Sequence, residues 1–254
     1  VADPDITEDR LLDGRILLRQ PRSGHRAGTD AVLLAAAAPA DLSGLVIDVG
    51  AGVGTVGLIL ASRCPAAELA LVEKDAAIAG LAEENLCLNG LANRGSVYIA
   101  DVFSKGSLKQ SGLLAKKAAL VITNPPFEDA KCVRISPIPG KRDAHVMAGE
   151  GTQRLTAWIL ACLALLADSG TFLMIHRPEA MPEILAACGK RLGGVALMSV
   201  HSHRDKPASR ILLRGKKGSR APLSISPPLV LQEQGRFTPL AEAIHRGTRL
   251  LEWL

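Results

Sequence analysis

From residue 45 to about residue 200, short β-rich runs alternate with helical ones, and that alternation leaves few folds open. "LVIDVG" (45–50), "ELALVE" (68–73), "SVYIAD" (96–101) and "AALVIT" (118–123) read as buried strands, followed later by "GTFLMIH" (170–176), "GVALMSVH" and "SRILLRG". Helical patterns fill the gaps near 53–63, 76–90, 152–167 and 178–192. In "AAIAGLAEENLCLNG", Ala79, Leu81, Ala82, Leu86 and Leu88 can cover one helical face, and Gly90 supplies a stop. Pro178 sits at a first turn, where its missing N–H does no harm. Strands alternating with helices predict an α/β domain, a doubly wound and mostly parallel seven-stranded sheet with helices on both faces. The last two strands have no helix between them and predict an antiparallel pair at one edge. The expected organisation is an N-terminal extension (1–44), the α/β domain (45–220) and a tail (221–254) packed on that domain. The tail reads as an extended piece followed by a short helix.

Composition excludes several classes. Apolar residues make up 48% of the 254, enough for a substantial core. The five cysteines (Cys64, Cys87, Cys132, Cys162, Cys188) are scattered with no C-x-x-C pair, a pattern of reduced thiols in a cytoplasmic protein. The acidic N-terminus has no apolar signal core. The longest apolar run, near "LTAWILACLALLA", falls short of the roughly 20 residues a bilayer span needs. His201 and His203 share a strand face but have no third ligand, so no metal is expected. Between His201 and Arg220 there are seven Lys and Arg against Asp205 alone, so this stretch carries +6 and the rest of the chain −1. Such a stretch is the footprint of a polyanion or a solubilising edge, and charge alone does not choose.

The first strand-to-helix turn, "VIDVGAGVGTVG", places Asp48, Gly50, Ala51, Gly52 and Gly54 in the order strand, D-x-G-x-G-x-G, helix. Glycines there permit a tight turn and close approach of backbone to ligand. The spacing departs from the G-x-G-x-x-G of dinucleotide sites. Asp48 also suits a cationic group better than a pyrophosphate. Glu73, followed by Lys74, ends the second strand where an acid can accept both ribose hydroxyls. Asp101, followed by Val102, ends the third, where an adenine amino group can be read. Three acids at successive strand ends around one glycine loop fit a positively charged nucleoside, S-adenosylmethionine.

The fourth strand ends on "NPPF". Each proline fixes φ near about −65° and pushes the residue before it toward extended geometry. The result is a stiff corner on which the Asn124 side-chain oxygen and the Pro125 carbonyl can converge, held by Pro126 and followed by Phe127. Two convergent acceptors suit a planar –NH2, whose nitrogen becomes nucleophilic only as it leaves conjugation. Phe127 offers a face on which a base can stack. In the loop beyond, Lys131, Arg134, Lys141 and Arg142 are candidate phosphate contacts, as are Arg204, Lys206 and Arg210 in the later basic stretch.

Together these residues resemble class I, Rossmann-like, S-adenosylmethionine-dependent methyltransferases of the N-P-P-[FY] type. "QPRSGHRAGTDAVLLAA", the glycine loop, "NPPF", "LLADSGTFLMIHRPEAMPEIL" and "KPASRILLRGKKGSRAPLSISPPLVL" are similar to the bacterial tRNA(Val) adenine-N6-methyltransferase family. The resemblance implies methylation of adenine N6 in an RNA, a tRNA above all. It implies a cofactor site of Gly50, Gly52, Gly54, Glu73, Asp101 and Asn124, and a base held by Asn124 to Phe127. Thr29 and Asp30 would cover the methionine end, although Ala27 stands where an aromatic is expected. N-P-P-F also occurs in rRNA guanine and DNA adenine enzymes and is close to the N-P-P-Y of release-factor glutamine methyltransferases. Those acceptors, and a non-catalytic RNA-binding relic, are the rival readings.

Overall fold

The computed structural model describes residues 5–23, 26–113, 117–126 and 150–253. An antiparallel hairpin, β1 (Ile6–Leu11) and β2 (Ile16–Pro21), precedes α1 (Thr29–Ala36). The alternating region follows as β3 (Gly44–Val49), α2 (Thr55–Arg63), β4 (Ala67–Glu73), α3 (Ala76–Leu88) and β5 (Gly95–Ile99). It continues through α4 (Lys105–Gln110), β6 (Ala118–Thr123), α5 (Glu150–Leu165), β7 (Leu166–His176), α6 (Met181–Cys188), β8 (Leu192–His203) and β9 (Ala208–Lys217). The tail forms β10 (Ser224–Ile225), β11 (Leu229–Glu233), β12 (Arg236–Phe237) and α7 (Pro239–His245).

The sheet runs β12-β11-β8-β9-β7-β6-β3-β4-β5, with β10 also paired to β8. β3 is flanked by β4 on one side and β6 on the other, all parallel. The chain therefore winds outward in one direction from β3 to β5 and then in the other from β6. That reversal makes a crevice at the carboxyl ends of β3 and β6, where ligands of open α/β sheets bind.

β8 and β9 pair antiparallel as expected, but β9 lies inside the sheet, antiparallel to β7 and β8 alike. Its centre, Ile211, Leu212 and Leu213, is buried on both faces, as an interior strand requires. The outer side of β8 is then covered by β11, which runs parallel to it.

Alternation along each strand feeds two cores. Val46, Leu120 and Ile122 face the layer of α1, α2 and α3, while Ile47, Val49 and Val121 face α5 and α6. Asp75 caps α3 by accepting from the Ala77 and Ile78 N–H groups, and Gly90 follows its end at φ +67°.

Two side chains of α3 carry the N-terminal hairpin. Asn85 and Asn89, one turn apart, each bond β2 through both ends of the amide. Asn85 accepts from Arg19 N (2.7 Å) and donates to Arg19 O (2.9 Å); Asn89 accepts from Leu17 N (2.9 Å) and donates to Leu17 O (2.7 Å). The pair stands in for a neighbouring strand and satisfies the free edge of β2. Nothing in the apolar pattern of this helix announces it, since the fully buried Asn85 occupies a core-facing position.

Candidate active site

The crevice at the switch point begins with the loop after β3. Gly50, Gly52 and Gly54 adopt φ of +70°, +55° and +88°, where side chains other than glycine are strained. Packing adds a second requirement at two of them. A Cβ on Gly50 would stand 2.9 Å from the Trp158 ring, and one on Gly54 would stand 2.9 Å from Leu71. A Cβ on Gly52 would meet nothing, so that glycine faces open space where a ligand can approach the backbone. The Gly50 and Ala51 N–H groups both donate to Val72 O, fastening the loop to β4.

The three acids do different work. Glu73 is half-buried and pins the loop: one carboxylate oxygen accepts from Gly52 N (3.0 Å), the other from Lys74 N (2.8 Å) and Asp75 N (3.0 Å). It is thereby oriented beside Gly52, with lone-pair capacity left for hydroxyl donors. The Lys74 side chain is exposed. Asp101, exposed after β5, accepts from Phe103 N (2.9 Å), and neighbouring Val102 is buried.

Asp48 is turned inward and 2% exposed, with its carboxylate accepting from Gly57 N (3.1 Å) in the first turns of α2. Burial pushes it up to about 7, against the opposing Gly57 hydrogen bond and with help from the negative charge of Glu73. In this structure it supports the loop from beneath rather than lining the crevice.

Asn124 follows β6. Its side-chain oxygen is buried and accepts no hydrogen bond from another described residue. A buried acceptor left without a donor costs about 1–3 kcal/mol, which marks it as held for something else. Pro125 is buried and Pro126 exposed, so the corner is anchored on one residue and open on the next. Behind it, Thr123 donates to Val49 O (2.7 Å) and receives the Trp158 indole N–H (3.0 Å). Phe103 packs edge-on against that indole with 5.6 Å between centroids and is 40% exposed. No sequence motif singles out Trp158 or Asn85, which also donates to Val53 O in the glycine loop. Their only signal was position.

Thr29 and Asp30 open α1 across the crevice. The Asp30 carboxylate pairs with Arg210 Nε at 2.7 Å, both half-buried. The sequence alone assigns these two to cofactor and RNA respectively, and the fold joins them. Arg204 and Lys206 are exposed at the β8–β9 turn, where Arg204 pairs with Glu233 at 3.0 Å. His201 contacts Lys206 O and Ser199 Oγ through its two ring nitrogens. Phe127, Lys131, Arg134, Lys141 and Arg142 lie outside the described residues. Among the described residues no cluster of three metal-ligating side chains occurs, and no helix is long and apolar enough to cross a membrane.

The site fits S-adenosylmethionine on these observations: a glycine open to a ligand, an oriented carboxylate beside it and an orphaned acceptor across the crevice.

Residues 23–137 match the model of the methyltransferase small domain family. A tRNA1(Val) (adenine(37)-N6)-methyltransferase of Pectobacterium carotovorum is 32% identical over 218 residues, 84% of this chain and 83% of that protein. The protein of the same name from Aeromonas hydrophila is 30% identical over 203 residues, 78% of this chain and 79% of that one. Among solved structures, a protein of Agrobacterium tumefaciens described as a predicted O-methyltransferase superposes with a TM-score of 0.72 at 30% identity, covering 87% of this chain and 98% of its own. The chain belongs to the S-adenosylmethionine-dependent methyltransferases, in the family of the bacterial tRNA1(Val) adenine-N6-methyltransferases.

Proposed function

We propose that this chain methylates N6 of an adenine in a tRNA, the acceptor named for its relatives being adenine 37 of tRNA1(Val). The observation that carries the reading is the buried oxygen of Asn124, without a donor among the described residues, on a proline-stiffened corner at the switch point. When bound, S-adenosylmethionine supplies an electrophilic methyl group on a sulfonium. The chain's residues position and polarise the acceptor. Asn124 Oδ1 and the Pro125 carbonyl accept from the two N–H bonds of the amino group, which favours the pyramidal, charge-developing nitrogen. Glu73 takes the ribose hydroxyls, Asp101 reads the adenine edge of the cofactor, and Phe127 stacks on the target base. That base must be unstacked to enter, as it is in a loop.

Asn124 is a neutral amide and cannot serve as a proton acceptor. An amino nitrogen needs none before transfer, whereas a hydroxyl acceptor must lose its proton as it is alkylated. This favours the amino acceptor over the oxygen acceptor named for the Agrobacterium tumefaciens neighbour.

The test is transfer of labelled methyl from S-adenosylmethionine to bulk tRNA, rRNA, DNA and a release factor, followed by nucleoside analysis of the product. N6-methyladenosine in tRNA is expected. Transfer to the release factor alone, or a methylated ribose hydroxyl, would overturn the reading.

A further inference from the structure

A cleft of about 310 Å³ opens between α1, the β8–β9 turn and the C-terminal β11–β12 segment. It lies at the same end of the sheet as Asn124. Thr123 pairs with Met174 and His176 with Ile211, so Arg210 stands two strands over, roughly 10 Å across at the usual strand spacing. The volume is at the lower end of the range for small-molecule sites.

The lining combines an aromatic platform with unused polar groups. Phe237 is 43% exposed, and its ring is backed by His245, stacked at 4.6 Å and 26°. His245 is itself fixed by Ala241 O (2.7 Å) and the Thr29 hydroxyl (3.3 Å). Val200 and Leu231 provide an apolar wall, while the Ser202 hydroxyl and the Gln232 amide make no hydrogen bond to another described residue. An amide offers a donor and an acceptor together, which is what a base edge presents in return. Arg210, neutralised by Asp30, closes one side, and on the turn above stand the exposed Lys206 and Arg204, the latter paired with Glu233 at 3.0 Å.

We propose that this cleft holds the base of a nucleotide adjacent to the target adenine in single-stranded RNA, stacked on Phe237 and read by Gln232 and Ser202. Its backbone phosphate would lie toward Lys206 and would take Arg204 over from Glu233. The inference rests on the RNA reading above and adds a second, separate contact to it. A stacked base contributes strongly without depending on sequence, and the polar pair supplies the preference.

The experiment uses the full chain and a fluorescent RNA hairpin with one adenine in its loop. Abasic sites are placed in turn on either side of that adenine. In the unsubstituted protein, one of the two abasic hairpins is expected to bind about tenfold more weakly than the intact one. Phe237→Ala should lose about tenfold on the intact hairpin and nothing further on the abasic one. Phe237→Tyr should restore binding, which a folding defect would not. Gln232→Ala should change the preference among bases at that position, and calorimetric affinity for S-adenosylmethionine should hold within twofold in each variant.

Losses that add, or no loss in either arm, overturn the subsite while methyl transfer to RNA leaves the functional reading standing. A large fall in cofactor affinity overturns it by making the cleft part of the cofactor site. If the unsubstituted protein neither binds nor methylates RNA, the functional reading itself fails, and the subsite with it.

Discussion

Trp158 and Thr123 share a buried hydrogen bond of 3.0 Å, indole N–H to hydroxyl, at the last residue of β6 before Asn124. The same hydroxyl donates to Val49 O at 2.7 Å, and the same indole ring lies against Gly50. One side chain from α5 thus touches both the glycine turn after β3 and the end of β6 that leads into Asn124. Trp158→Phe keeps most of the ring and removes the donor. It should cost about 1 kcal/mol in urea unfolding, the net value of such a bond, and lower the single-turnover rate more than the cofactor affinity. Thr123→Val in the same background should lower the rate by less than it does alone, because the indole bond is already gone and only the bond to Val49 O is left to lose. Additive losses would show two independent packing effects instead.

Gly50→Ala meets two obstacles that can be separated. At φ +70° an alanine is strained, and its Cβ would stand 2.9 Å from Trp158. Strain at such a position destabilises by about 1 kcal/mol or more. The steric part should be relieved by Trp158→Leu, whereas the backbone part should not. Thermal unfolding of the two singles and the double should therefore show partial rescue. Full rescue would mean that the left-handed backbone at Gly50 is dispensable.

Asn124→Ala separates stability from activity. The side-chain oxygen is a buried acceptor with no donor among the described residues, so removing it relieves a desolvation penalty. Unfolding should shift upward by up to about 1 kcal/mol, methyl transfer should fall by several orders of magnitude, and cofactor affinity should stay within several-fold. A destabilised variant would mean that the amide is structural, and retained turnover would remove Asn124 from the chemistry.

The strands, the turn at the glycine loop and the end of β6 at Asn124 were legible because each has a local cause. Apolar runs between helical periods set the sheet, positive φ demands glycine, and paired prolines stiffen whatever follows Thr123. The inward turn of Asp48 was not legible. A carboxylate two residues before a glycine can line a crevice or face the next helix, and only the packing of α2 decides. β9 is interior because it inserts between β7 and β8, and β11 then arrives from the tail to cover β8, long-range pairings with no local signature. The Asn85 and Asn89 grip on β2 and the Asp30–Arg210 pair likewise join residues 66, 72 and 180 positions apart.

Asp48 should leave a signature in stability against pH. Its carboxyl titrates near 3.8 when unfolded and is pushed up to about 7 in the fold, first by burial. Between those values the folded chain keeps a proton that the unfolded chain has released. Its contribution is therefore fully present below the unfolded value and is lost as pH rises through about 7. At about 1.4 kcal/mol per pKa unit the span is about 4 kcal/mol at most. Asp48→Asn retains an oxygen for the Gly57 N–H and cannot ionise. Urea unfolding of both proteins from pH 4 to 8 should show the difference between them opening through this window, with the asparagine variant the more stable at pH 8. Glu73→Gln removes the nearby negative charge that helps hold Asp48 neutral, so the window should move to lower pH. Parallel profiles for the asparagine variant and the unsubstituted chain would show that Asp48 is ionised in the fold throughout, and that the hydrogen bond from Gly57 outweighs its burial.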